Sequence, residues 1–114
     1  MRQRSLSRQR RLLTTPDWAD VTLHSYRHRW GHAPADPRYA GEEQQLNPAP
    51  VLHVPTLLLH GAADGVNHPD TSLGKEAFFE GIYKRQLLAG VGHFPQREAP
   101  GDVLAALLPF LETT

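Results

Sequence analysis

The sequence predicts an α/β fold with a parallel but incomplete sheet. The apolar segment Val54–His60 is typical of a strand, Ile82–Leu88 is predicted to be a second strand, and helical patterns alternate with them. Strands that alternate with helices indicate a parallel sheet with crossover connections. Because parallel strands need cover on both faces, two such strands do not make a self-sufficient sheet. We therefore expect part of a larger α/β architecture.

The composition fits one globular domain. Of the 114 residues, 39% are hydrophobic and none is cysteine, which excludes disulfides, thiolate metal ligands and a cysteine nucleophile. No apolar run approaches the roughly 20 residues of a membrane span. The formal net charge is zero, so we predict neither a nucleic-acid nor a membrane partner. We expect the protein to be cytoplasmic, because its start lacks the apolar region of a secretory signal.

Residues 1–13 are predicted to form a disordered basic tail. The first eleven positions contain five of the twelve basic residues and no acid, so the remainder has seven basic against twelve acidic residues. The five are Arg2, Arg4, Arg8, Arg10 and Arg11. This composition also resembles an organelle transit peptide, or a segment that binds an anionic partner.

Residues 14–50 are predicted to contain one amphipathic helix and a linker. Pro16 suits the first helical position and Gly31 can end the helix, which predicts a helix over 16–30. Residues at spacings of three and four give it one face, formed by Trp18, Val21, Thr22, Ser25, Tyr26 and Arg29. A linker follows, with a short helical turn expected at Glu42–Leu46.

Residues 51–114 are predicted to contain both strands and a C-terminal helix. Between the strands we expect a short helix that carries Leu73, Ala77 and Phe78. The last helix is expected over Pro100–Leu111, where apolar residues recur on one face. Pro109 is expected to distort its last turn.

Two polar residues follow the two predicted strands. The segment LLHGAAD ends at Asp64, and GVGHF places His93 in a glycine-rich loop. Both lie beyond the carboxyl ends of neighbouring parallel strands, where open α/β sheets bind ligands. An aspartate beside an imidazole fixes its tautomer, and the imidazole then acts as a general base. Asp64 and His93 are therefore the candidate catalytic residues.

These segments resemble the C-terminal part of an α/β-hydrolase of the epoxide-hydrolase and haloalkane-dehalogenase-like branch. The resemblance runs through VPTLLLHGAADGVNHPD and GVGHFPQREAP to the apolar last helix. In that family the order along the chain is nucleophile, acid, histidine. The resemblance implies that Asp64 is the acid and His93 the histidine. It also implies that residues 14–50, with DWADVTLHSYRHRWGHAP, hold the end of a helical cap and that 51–114 belong to the hydrolase core.

The nucleophile elbow of that family is missing from this sequence. No G-x-S-x-G or G-x-D-x-G occurs, and the four serines lie in the tail, on a helix or at a helix start. We therefore predict an inactive fragment that would act on a small-molecule ester, epoxide or carbon–halogen bond once completed. The alternative is a non-catalytic binding module or partner subunit that completes a sheet with another chain. An open sheet edge also favours self-association.

The remaining polar residues have structural interpretations. His24 and His28 have the i, i+4 spacing of zinc ligands, but two flanking arginines repel a cation and the pattern supplies no carboxylate. We predict no metal and no cofactor. His60 is expected to be buried with its hydrogen bonds satisfied. Glu98 is expected to interact with the positive end of the last helix.

Overall fold

The computed structural model describes residues 2–114, with side chains from residue 6 onward. The chain divides into two units, Met1–Gln45 and Leu46–Thr114. The first contains helices and turns, and the second contains a two-stranded parallel sheet with helices. The protein is therefore mixed α/β, consistent with part of an α/β fold.

The first unit begins with a helix where a disordered tail was predicted. Helix α1 spans Arg2–Leu13, so the prediction of disorder differs from the structure for these residues, while Met1 lies outside the described part. The physical reason is local, since arginine, glutamine and leucine are all good helix formers. Basic charge alone therefore did not indicate disorder here.

Helix α2 spans Trp18–Arg29, close to the expected 16–30, and a shorter helix, α3, spans Ala40–Gln45. Helix α2 buries none of its residues. Its predicted apolar face is present but uncovered, since Val21 is 62% and Tyr26 is 58% exposed. A helix of this kind is specified by its local pattern rather than by a core.

The second unit contains both predicted strands. Strand β1 spans Thr56–Gly61 and strand β2 spans Tyr83–Leu88. They pair in parallel, with the first and last residues of one strand opposite those of the other. In the described part of the chain, β1 hydrogen-bonds to no named strand except β2.

The connection between the strands differs from the expected short helix. It contains two 3₁₀ turns, Pro69–Ser72 and Glu76–Phe78, rather than an α-helix. Gly74 separates them with a φ of 70°, which an α-helix does not tolerate. The prediction therefore placed helical structure in approximately the right segment, but the segment forms 3₁₀ turns and not an α-helix.

The chain ends in two consecutive helices, α4 over Pro95–Glu98 and α5 over Pro100–Thr113. The sequence patterns did not predict α4. Helix α5 continues through Pro109 and ends at Thr113, two residues beyond its expected end at Leu111. Helix α5 contacts β1, and the buried hydrophobic residues are Leu88, Val91 and Ala106. The core thus lies where the strand ends meet the last helix. Within the described residues, no helix has the length and apolar character required to cross a membrane.

Candidate active site

The loops after the two strands pack backbone against backbone. Because Gly61 lies opposite Leu88 at the strand ends, both following loops leave the same edge of the sheet. A Cβ atom at Gly61 would overlap the backbone carbonyls of Gly92 and Val91. The Ala63 amide also donates a hydrogen bond of 2.9 Å to the Val91 carbonyl. Glycine at position 61 is therefore a condition for this close approach.

The approach of the two loops brings Asp64 and His93 together. The Nδ1 atom of His93 lies 3.1 Å from Oδ1 and 3.0 Å from Oδ2 of Asp64. The Asp64 side chain is 5% exposed, whereas the His93 side chain is 33% exposed. Because an ionised carboxylate only accepts hydrogen bonds, the imidazole carries its proton on Nδ1 when neutral, and the Nε2 lone pair is basic.

Asp64 is held as a carboxylate by several donors. Its Oδ1 atom accepts the amides of Val66 at 2.8 Å and Asn67 at 2.9 Å. Burial acts to raise the pKa of Asp64, but the hydrogen bond from His93 and these two amides outweigh it and lower the pKa to about 2. The carboxylate is therefore charged at neutral pH, so it can stabilise an imidazolium at His93.

The loop that carries His93 is held by Glu98, a contact that the sequence analysis missed. Glu98 Oε1 accepts the Gly92 amide at 3.1 Å, and Oε2 accepts the Phe94 amide at 3.0 Å. The sequence analysis expected Glu98 to interact with the positive end of the last helix, and the structure shows its two carboxylate oxygens on these loop amides. Pro95 starts the single turn of α4, and that turn returns Glu98 to the loop. The sequence pattern that could have indicated this contact is Pro95, which favours the start of a helical turn, followed three residues later by Glu98.

His60, near the end of β1, is half-buried and hydrogen-bonded on both ring nitrogens. The expected hydrogen bonding is present, whereas the burial is less complete than expected. Its side chain is 11% exposed. Nδ1 lies 2.8 Å from the Ser72 hydroxyl, and Nε2 lies 2.9 Å from the Asn67 carbonyl. Nε2 is also 3.3 Å from Oδ2 of Asp64. Oδ2 of Asp64 therefore lies close to two imidazole rings.

A cavity of about 270 Å³ adjoins these side chains. The polar side chains that line it are His60, Asp64, Asn67, Thr71, Ser72 and His93. This volume lies just below the usual range for ligand pockets, about 300–1,000 Å³. The space next to the pair thus suits a water molecule or a small reacting group.

The other histidine pair lies in the first unit. The rings of His24 and His28 stack with centroids 6.2 Å apart. Nε2 of His28 lies 3.3 Å from Oε1 of Glu43, a carboxylate that the local sequence pattern did not indicate. Across the part of the chain that the structure describes, no cluster of three or more metal-binding side chains occurs.

Comparison with known proteins gives one partial similarity. Over 60 residues, 53% of this chain, the sequence is 40% identical to Epoxide hydrolase A of Mycobacterium tuberculosis (strain ATCC 25618 / H37Rv). The matched residues are 19% of that relative, so the similarity spans about a fifth of its length. No family model matches the chain, and no solved structure matches it. The chain is thus similar to a part of an epoxide hydrolase.

Proposed function

We propose that this chain supplies the acid and the histidine of an α/β-hydrolase active site. The observation that carries the proposal is the 3.0 Å contact between His93 Nδ1 and the buried carboxylate of Asp64. Both residues follow neighbouring parallel strands, as the triad acid and histidine do in the family that the sequence resembles. The partial similarity to an epoxide hydrolase supports the same assignment.

In this proposal His93 is the general base and Asp64 orients it. The Asp64 carboxylate keeps the His93 proton on Nδ1, which leaves Nε2 to take a proton from a hydroxyl group or a water molecule. The imidazolium that forms is stabilised by the charge of Asp64. A positioned base of this kind contributes about 10²–10⁴-fold to a hydrolytic rate.

The nucleophile would come from a polypeptide segment outside these residues. The sequence contains no nucleophile elbow. An elbow with serine would make the completed enzyme an esterase, and an elbow with aspartate would make it an epoxide hydrolase or a dehalogenase. The name of the similar protein favours an epoxide as the substrate.

A second candidate function is a non-catalytic module that completes a sheet with another chain. It is favoured by strand β1, which among the described residues pairs only with β2. Leu87 on β2 is also 44% exposed, although parallel strands are normally covered on both faces. Self-association through the open edge belongs to this alternative.

Hydrolysis assays on the chain alone and on a longer product test the catalytic proposal. The longer product joins this chain to the in-frame upstream sequence, provided that sequence encodes an elbow, and the substrates are an ester, an epoxide and a haloalkane. We expect no turnover by the chain alone. In the longer product, His93→Ala should lower turnover at least about a hundredfold, because the general base is lost.

His53→Ala is the matched control, since His53 is 73% exposed and its Nδ1 atom pairs with Glu80 on the surface. It should leave turnover unchanged. If the longer product hydrolyses its substrate equally well with and without His93, the catalytic proposal is wrong. If the upstream sequence encodes no elbow, the sheet-completing alternative gains support.

A further inference from the structure

A network of polar side chains adjoins Asp64 through His60. Arg85 on β2 donates from Nε to the Ser72 hydroxyl at 2.9 Å and from Nη2 to the Pro69 carbonyl at 2.6 Å. The Ser72 oxygen lies 2.8 Å from Nδ1 of His60. Arg85 is paired in register with Leu58, two residues before His60, so both polar side chains share one face of the sheet. The network therefore joins the two strands through the turn that ends at Ser72.

The other side of the His60 ring meets the loop that carries Asp64. Nε2 of His60 lies 2.9 Å from the Asn67 carbonyl. The Asn67 amide in turn donates to Oδ1 of Asp64 at 2.9 Å. Movement of His60 would thus be transmitted through Asn67 to the carboxylate that faces His93.

The partners of His60 determine where its proton lies. The Asn67 carbonyl and the Asp64 carboxylate are both acceptors, so Nε2 of His60 must carry a hydrogen. In the neutral ring, Nδ1 is then an acceptor, and the Ser72 hydroxyl donates to it. The Nε atom of Arg85 donates to the Ser72 oxygen and so occupies one of its lone pairs.

Arg85 also keeps the Ser72 hydroxyl available to His60. The Pro69 carbonyl lies 3.0 Å from the Ser72 oxygen and competes for its hydrogen. Because Arg85 donates to that same carbonyl, Pro69 stays hydrogen-bonded when the hydroxyl turns toward His60. With neutral His60, both of its ring nitrogens, the Ser72 hydroxyl and the Pro69 carbonyl each have a hydrogen-bond partner.

We infer that His60 is a positioning residue for Asp64, held in its Nε2–H tautomer by Ser72 and Arg85, and that it keeps the Asp64 carboxylate directed at His93. The inference rests on the proposed function, because it assigns His60 a role in the same acid–histidine pair. His60 acts through the loop from Asp64 to Asn67. Glu98 has a corresponding role in the other loop, where it accepts the two amides on either side of His93.

Another arrangement of the same atoms would make Ser72 a nucleophile, with His60 and Asp64 as its base and acid. Two observations oppose it. The Ser72 oxygen already accepts a hydrogen bond from Arg85, and Ser72 ends a 3₁₀ turn rather than occupying a sharp turn between a strand and a helix. The positioning role is therefore the better supported of the two.

The tautomer of His60 is measured directly in the full chain without any substitution. Long-range proton–nitrogen correlation on histidine-labelled protein at neutral pH distinguishes the two ring nitrogens. We expect the proton of His60 on Nε2 and the proton of His93 on Nδ1. A neutral His60 with its proton on Nδ1 would overturn the inference.

Substitutions then test whether His60 positions Asp64. In His60→Leu, the amides of Val66 and Asn67 should exchange with solvent about tenfold faster, since one supporting hydrogen bond is lost. The Nδ1 proton of His93 should also exchange faster. His60→Gln retains a donor for the Asn67 carbonyl and should restore much of the protection. Unchanged exchange in His60→Leu contradicts the inference.

Arg85→Met should shift the Nδ1 and Nε2 signals of His60, whereas Lys84→Met, on an exposed neighbour in the same strand, should not. If His60→Leu does not fold, the tautomer measurement and the comparison of Arg85→Met with Lys84→Met still test the positioning role of His60. The tautomer, exchange and Arg85→Met measurements do not depend on turnover, so they separate failure of the positioning role from failure of the proposed hydrolase function. Turnover by the chain alone that Ser72→Ala abolishes would make Ser72 the nucleophile and overturn the inference.

Discussion

The two units of the chain owe their structure to different kinds of interaction. In Met1–Gln45, none of the described side chains is buried, and the helices follow local sequence patterns. In Leu46–Thr114, residues distant in the sequence pair along two strands and bury Leu88, Val91 and Ala106. The candidate site therefore lies in the unit where segments distant in the sequence pack together.

Two aspartates illustrate the same difference. Asp36 in the first unit is 39% exposed and accepts a hydrogen bond of 2.7 Å from Arg38, two residues away. Asp64 in the second unit is 5% exposed and meets His93, which is 29 positions away. The Asp36–Arg38 pair lies on the surface and is screened by water, whereas the side chain of Asp64 is shielded from solvent and only that of His93 is partly exposed.

The largest expected effect comes from glycine substitutions, one in each unit. Gly61→Ala should lower the free energy of unfolding by about 3 kcal/mol or more, because its Cβ would overlap two backbone carbonyls. Gly41→Ala on α3 has no atom within 4 Å of its new Cβ and should stabilise that helix by up to about 1 kcal/mol. Denaturant unfolding followed by circular dichroism measures both. Equal effects would mean that the two loops do not pack as closely as the structure shows.

A smaller effect is expected at low pH, where Asp64 and Asp36 should contribute differently to the loss of folding stability. The pKa of Asp64 falls from 3.8 to about 2 on folding, so its stabilising contribution is complete above pH 3.8 and is lost as the pH drops toward 2. Asp64→Asn should remove this part of the acid sensitivity. The pKa of Asp36 is also lowered, by its hydrogen bond with Arg38, but this pair is exposed.

We therefore expect Asp36→Asn to change acid sensitivity little, and less still at high salt. Unfolding free energies measured over this pH range for both variants and the unchanged chain provide the test. An equal loss of acid sensitivity in the two variants would contradict the contrast between the buried and the exposed carboxylate.

The smallest expected effect concerns two glutamates. Glu98→Gln keeps one acceptor oxygen for the two amides around His93, so it should cost about 1 kcal/mol and speed exchange of the Gly92 or Phe94 amide. Glu43→Gln in the first unit affects only a partly exposed contact with His28 and should change stability by less than about 0.5 kcal/mol. Hydrogen exchange on both variants measures the difference, and unchanged exchange at both amides in Glu98→Gln would refute the assignment.

The sequence by itself determined the elements with a regular pattern and the order of the two site residues. An apolar run predicted β1, and the segment Ile82–Leu88 was predicted to be the second strand. Spacings of three and four predicted α2 and α5, and the loops after the strands were predicted to carry Asp64 and His93. These features depend on neighbours within a few positions, so they can be read along the chain. The basic charge of residues 2–13 predicted disorder, whereas the high helix propensity of their arginine, glutamine and leucine residues is consistent with the helix that forms.

The contacts that support the candidate site depend on how the chain packs in three dimensions. Ser72 and Arg85 lie 12 and 25 positions from His60 along the chain, and no local periodicity relates them. They meet because two parallel strands in register and the turn between them bring one face of the sheet together. The role of Glu98 likewise depended on a single helical turn that returns its carboxylate to the His93 loop. Contacts of this kind arise from chain geometry in three dimensions, which a local sequence pattern does not contain.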